Sequence, residues 1–160
     1  MEKHEQYMRQ AIRQAQSAAR ADEVPVGCVI VKDGKVIARA RNRRQQSRQA
    51  CAHAEVLCIG YACKKLRSWR LDGCEMYVTL EPCPMCAGAA VNARLKTVIF
   101  GAYDQKAGYA GTLHNTLSDS RLNHRPDVVG GVLERECAEL LSGYFAKKRG
   151  LPKKGGTERG

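Results

Sequence analysis

Two short runs limit what this chain can fold into more than anything else in it. One is His53-Ala54-Glu55, which opens a helical stretch; the other is Pro82-Cys83-Pro84-Met85-Cys86, which opens a second. Cysteines three apart in the first turn of a helix present both sulfurs to one side, and a helix N-terminus favours thiolate over thiol. A fold that uses the imidazole and the two sulfurs together has to bring these two helix starts to one place.

The surrounding pattern describes the frame. Residues 5–19 set Met8, Ala11, Ile12, Ala15 and Ala19 at three- and four-residue steps, an amphipathic helix that Asp22 and Pro25 end. Residues 26–31 and 35–40 are β-branched runs joined by Asp33-Gly34, a two-residue hairpin signal, so the sheet opens with an antiparallel pair. A polar, arginine-rich loop over 41–49 leads to a helix over 53–66 with Val56, Leu57, Ile59, Gly60 and Cys63 on its buried side. In 75–80, Met76, Val78 and Leu80 alternate against Tyr77 and Thr79, and this strand runs into Glu81-Pro82-Cys83, where proline suits a helix start. That helix continues to about residue 93, and Ala87-Gly88-Ala89-Ala90 permits close packing of another helix or backbone. Residues 96–101 and 127–133 read as strands and 134–148 as a final helix. Strands alternating with helices after a hairpin predict an α/β fold with a mixed, mostly parallel five-stranded sheet covered on both faces.

A chain of 160 residues fits one domain, here residues 1–149, followed from 150 by a Lys-, Gly- and Pro-rich tail with little to bury and an expectation of disorder. No apolar run is long enough to span a bilayer and the first sixteen residues lack a signal-peptide core, which predicts a cytoplasmic protein without a membrane partner. A domain of this size needs no disulfide framework, so Cys28, Cys58 and Cys63, in apolar stretches, read as small buried hydrophobes. The formal charge of +11, from 27 Lys and Arg against 16 Asp and Glu, attracts polyanions and makes their binding salt-dependent.

His53, Cys83 and Cys86 are good zinc ligands, and three protein ligands leave the fourth tetrahedral position to water, which separates a catalytic zinc from a closed structural one. Glu55, two residues beyond the histidine, is placed to take the water's proton without ligating the metal. Cys51 is the candidate fourth ligand of the structural alternative, and a redox pair is the other use of Cys-x-x-Cys. His-x-Glu combined with Pro-Cys-x-x-Cys is the signature of zinc-dependent base deaminases.

Beyond the ligands, Glu23-Val24-Pro25-Val26-Gly27, Asn42, Leu80-Glu81-Pro82-Cys83, Cys86-Ala87-Gly88-Ala89, the run from Gly101 to Gly108 and Asn123-His124-Arg125 resemble the bacterial tRNA-specific adenosine deaminases. The resemblance extends from about Tyr7 to Lys148. It implies a cytidine-deaminase-like three-layer α/β/α sandwich, one Zn2+ per subunit, a homodimer, and hydrolytic conversion of adenosine to inosine at the wobble position of a tRNA anticodon stem-loop. It also implies substrate contacts from Val26, Asn42, Asp104, Lys106, Asn123 and Arg125. Read alone, Asn42 is equally a loop cap, Asp104 and Lys106 a solvated pair, and the Asn123 stretch a polar loop before Pro126. Phe145, beside Tyr144, Lys147, Lys148 and Arg149, serves equally as core or as a stacking platform for a splayed base. A free base or nucleoside deaminase of guanine or cytosine type, and a non-catalytic RNA-binding protein with structural zinc, are the rival readings. One departure from the family is Gln49-Ala50-Cys51-Ala52 where Asp-Pro-Thr-Ala is usual, which removes a turn-forming proline between Asn42 and His53 and predicts a looser loop.

Overall fold

The structure, a computed structural model, describes residues 2–150. Of the expected tail it therefore covers Gly150 alone; residues 151–160 lie outside it. Helix α1 (Glu2–Arg20) buries Met8, Ala11, Ile12 and Ala15 at the expected spacing and completes the stripe with Ala18 rather than Ala19. It stops where Asp22 turns left-handed (φ 59°) and the Glu23 N–H returns to the Ala18 carbonyl at 2.9 Å, a Schellman-type end that aims Glu23 inward. Strands β1 (Gly27–Lys32) and β2 (Lys35–Arg41) form the hairpin, with Asp33 and Gly34 both at positive φ as a type I′ turn requires.

After β2 come a short helix α2 (Arg44–Ser47), helix α3 (Ala54–Leu66), strand β3 (Glu75–Leu80), helix α4 (Pro84–Asn92), strand β4 (Thr97–Ala102), strand β5 (Asp127–Val129) and helix α5 (Glu134–Arg149). The sheet order is β2-β1-β3-β4-β5. β1 runs antiparallel to both β2 and β3, while β3–β4 and β4–β5 are parallel. The expected mixed sheet is present, but it is evenly divided rather than mostly parallel. The crossover through α3 joins two strands that point the same way yet are separated by β1, so it creates no parallel pairing.

Both faces are covered. Cys28, Ile30, Met76, Val78 and Val98 pack beneath α3 and α4, and the alternate residues Val29, Val31, Tyr77 and Ile99 pack beneath α1 and α5. Cys28 and Cys58 lie in the first of these layers, as expected, while Cys63 is only partly buried beside it. α3 buries Ala54, Cys58 and Ala62 as a stripe at four-residue steps; Leu57, Ile59 and Cys63 pack at its margin, whereas Gly60 is exposed and Val56 only half-buried, contrary to the expected face. β5 is shorter than predicted because Gly130 and Gly131 interrupt it. A Cβ at Gly130 would lie 2.6 Å from the Phe100 ring, and Gly131 has φ 83°.

Candidate active site

The two helix starts meet. His53 is the extended N-cap residue of α3 and Cys83 that of α4, with Pro84 opening the α4 turn and Cys86 inside it. His53 Nδ1 lies 3.6 Å from the Cys83 sulfur and 3.5 Å from that of Cys86. Tetrahedral bonds of about 2.1 Å to nitrogen and 2.3 Å to sulfur require a ligand separation of roughly 3.6 Å. The donor set and its spacing therefore fit a tetrahedral zinc. Among the described residues His53, Cys83 and Cys86 are the one such group, with ligand atoms all within 4.8 Å of one another. Cys51 is exposed and outside it, so the structure does not assemble the closed four-ligand alternative.

The sulfurs compete for a proton. A hydrogen bond from Cys86 pushes the Cys83 thiol down to about 4, with His53 helping and burial opposing. The same hydrogen bond, with burial, raises Cys86 well above an ordinary thiol. These opposite directions are two halves of one interaction: the pair holds one negative charge comfortably, and a second thiolate needs a cation. The hydrogen bond to Cys83 also raises His53.

Glu55 follows on the first turn of α3, only 4% exposed, and burial pushes its carboxyl up to about 7 against the opposing pull of its own backbone amide, His53 and the Cys86 hydrogen bond. It lines a cavity of about 170 Å³ with His53 and Cys83. Of the residues expected at the substrate, Val26, Asn42 and Asp104 line the same cavity. Asn42 is buried, donates Nδ2–H to the Val24 carbonyl at 3.3 Å and accepts the Arg44 N–H at 3.2 Å, so the loop-capping role and the cavity position belong to the same side chain. Asp104 Oδ1 accepts the N–H groups of Lys106 and Ala107. Lys106 itself is exposed and does not line the cavity.

A second cavity, at about 330 Å³ the larger, shares Val24, Asn42 and Arg44 with the first and continues between α2 and α5, past Arg48, Tyr144, Phe145 and Lys148. Phe145 is 43% exposed there, edge-on to Tyr144, and is not a core residue. Asn123 and Arg125 are not brought to this group. His124 Nε2 is 2.7 Å from the Leu95 carbonyl and the Asp127 N–H donates to that of Lys96, which hold their loop at the opposite end of β4 from Asp104. Arg125 spends its guanidinium on the Ser120 and Leu122 carbonyls. Motif reading assigned no cavity position to Arg44 or Ala107, since neither residue type announces a site and both arrive through backbone placement.

A mixed five-stranded sheet whose two helix starts cluster a histidine with two cysteines beside a cavity lined by a buried carboxylate defines a cytidine-deaminase-like hydrolase. The chain belongs to the MafB19-like deaminase family, which matches residues 2–149. It is 52% identical over 93% of its length to the tRNA-specific adenosine deaminase of Bacillus subtilis (strain 168), covering 92% of that protein. It is 45% identical over 91% of its length to the enzyme of that name from Aquifex aeolicus (strain VF5), covering 95% of it. Among solved structures it is similar to one from a study of A-to-I editing by tRNA:A34 deaminases at the wobble position of transfer RNA, with TM-score 0.82, 44% identity, and coverage of 85% of this chain and 99% of that one. It is also similar, with TM-score 0.79, 25% identity and coverage of 89% and 84%, to a guanine deaminase from Nitrosomonas europaea.

Proposed function

We propose that the protein converts adenosine to inosine at the wobble position of a tRNA anticodon, with one zinc ion per subunit held by His53 Nδ1 and the sulfurs of Cys83 and Cys86. The observation that carries this reading is the buried Glu55 carboxylate sharing a cavity with His53 and Cys83, two members of the three-ligand cluster. Zinc in such a donor set supplies the Lewis acidity that makes water a nucleophile near neutral pH. Glu55, whose proton affinity burial brings near neutrality, takes one proton from the water and delivers it to the ring nitrogen, then carries the second proton from the added hydroxyl to the departing amine as the carbonyl forms. A C–O bond forms at the carbon bearing the amino group, the C–N bond breaks, and ammonia leaves. Asn42 keeps one amide N–H and Asp104 one carboxylate oxygen outside their internal bonds, free for a base edge and a ribose hydroxyl respectively.

A stacked adenine cannot reach so recessed a centre and has to be extruded, which a splayed anticodon loop permits. The second cavity, with Phe145 as a stacking surface and Arg48 as a phosphate partner, takes flanking nucleotides. The homodimer forms through the outer faces of α3 and α4, where Gly60 and Gly88 have open space beside them. No helix among the described residues is long and apolar enough to cross a membrane, and the reading places the enzyme with its tRNA in the cytoplasm. The fold likeness to a guanine deaminase keeps one rival, a free-base substrate. Zinc-loaded protein, given an anticodon stem-loop, adenosine, cytidine and guanine separately, is expected to release ammonia efficiently from the stem-loop alone. Faster turnover of guanine would reverse the assignment.

A further inference from the structure

Two carboxylates lie buried in the cavity walls without a part in the proton transfers. Glu23 and Glu81 are each 1% exposed, and both are committed to backbone N–H groups. Glu23 Oε1 accepts the Gln45 N–H at 3.1 Å and Oε2 the Gln46 N–H at 2.7 Å. Glu81 Oε1 accepts the Asp104 N–H at 3.1 Å and the Thr112 hydroxyl, and Oε2 accepts the Ala110 and Thr112 N–H groups, each at 3.0 Å. Those four bonds occupy the lone-pair sites of a carboxylate, so Glu81 has none left for substrate. The 104–112 segment wraps so closely that a Cβ at Gly108 would lie 2.4 Å from Glu81 Oε1.

The placement is symmetrical about the cavity. The segment gathered by Glu23 carries Asn42 and Arg44, and the segment gathered by Glu81 carries Asp104 and Ala107, all of them lining residues. The α2 segment has no apolar residue among Arg44, Gln45, Gln46 and Ser47, and none of these is buried. Packing cannot hold it; the two carboxylate bonds do so together with the Asn42 cap on the Arg44 N–H and the Arg41–Gln46 side-chain bond. We propose that Glu23 and Glu81 are paired positioning residues that set substrate affinity and selectivity by drawing the two cavity walls together on their carboxylates, while the metal centre and Glu55 are left unchanged. The proposal rests on the substrate contacts assigned above to Asn42 and Asp104, but its structural half is testable without activity.

Glu23→Gln and Glu81→Gln each turn an amide nitrogen toward N–H donors. The full-length zinc enzyme carrying either change is expected to keep its zinc and a kcat within about threefold, while KM for an anticodon stem-loop rises about tenfold, the effect of losing a hydrogen bond to a charged group. Amide hydrogen exchange is expected to quicken over 44–47 in Glu23→Gln and over 104–112 in Glu81→Gln, each change confined to its own wall. Should Glu81→Gln fail to fold, Gly108→Ala and Thr112→Val test the same wall, with Thr112→Ser expected to restore the wild-type KM. Loss of kcat at unchanged KM, loss of zinc, or exchange quickened across the whole sheet would overturn the proposal. If the wild type itself ignores the stem-loop while the exchange pattern holds, the positioning role stands and the substrate reading fails.

Discussion

Glu55 is buried where a charge is costly and is the proposed proton carrier, and its burial and its role separate experimentally. Replacing it by Gln removes the proton carrier but no ligand, so zinc is expected to stay while inosine formation falls by about 10²–10⁴-fold, the range for general acid–base groups. Near-normal activity would show that another group moves the protons. The stability effect has a definite sign. Burial raises Glu55 from an ordinary 4.5 to about 7, so its folded state binds a proton more tightly than its unfolded state. That contribution is complete below pH 4.5 and is lost as pH rises through 7. In zinc-free protein, Glu55→Gln is therefore expected to gain on the wild type between pH 4.5 and 8 by on the order of 3 kcal/mol, measurable by urea unfolding. At the ligand positions, replacing His53, Cys83 or Cys86 should cost bound zinc, and Cys51→Ser should retain it, by metal analysis of purified protein. The convergence of His53, Cys83 and Cys86 was legible because residue type, spacing and the deaminase signature together mark them. Glu23 and Glu81 were not, because a carboxylate that caps distant backbone looks like any other in a sequence.

Among the elements, the hairpin and the long helices follow from local signals. Asp33-Gly34 demands positive φ at both positions, and the stripe of α1 repeats with the helical period. Gly27 marks where these elements touch. A Cβ there would lie 2.0 Å from the Ala11 carbonyl oxygen and 2.4 Å from the Ala15 nitrogen, both backbone of α1, which cannot rotate away. Gly27→Ala is expected to destabilise by about 3 kcal/mol or more as α1 is forced off the sheet. Gly143→Ala, in α5 with nothing within 4 Å of the new Cβ, should instead gain up to about 1 kcal/mol. Equal effects in thermal unfolding would refute this account of the contact. α2 escaped the sequence reading for a related reason: Arg44-Gln45-Gln46-Ser47 has no apolar periodicity, and part of its restraint comes from Glu23, far back in the chain.

For the molecule as a whole, a net charge of +11 leads to the expectation that affinity for the proposed stem-loop substrate falls steeply with salt. Neutralising Lys147, Lys148 and Arg149 together is expected to flatten the slope of log K against log salt by up to about 2, with zinc unchanged. Lys148 contributes least, since it is paired with Asp22 at 2.7 Å. Salt-titrated binding of the stem-loop checks this, and an unaltered slope would place the phosphates elsewhere. At this scale the division between sequence and structure becomes plain. The sequence by itself determined the α/β class, the opening hairpin and the candidate cluster of His53, Cys83 and Cys86, because each depends on residue type, short spacing and a known signature. Tertiary structure alone decided that β1 separates β2 from β3, that Phe145 lines a cavity instead of the core, and that Asn123 and Arg125 stand at the far end of the sheet from Asp104. Those outcomes turn on which elements become neighbours, and neighbours are chosen by burial summed over the whole chain, which no local pattern records.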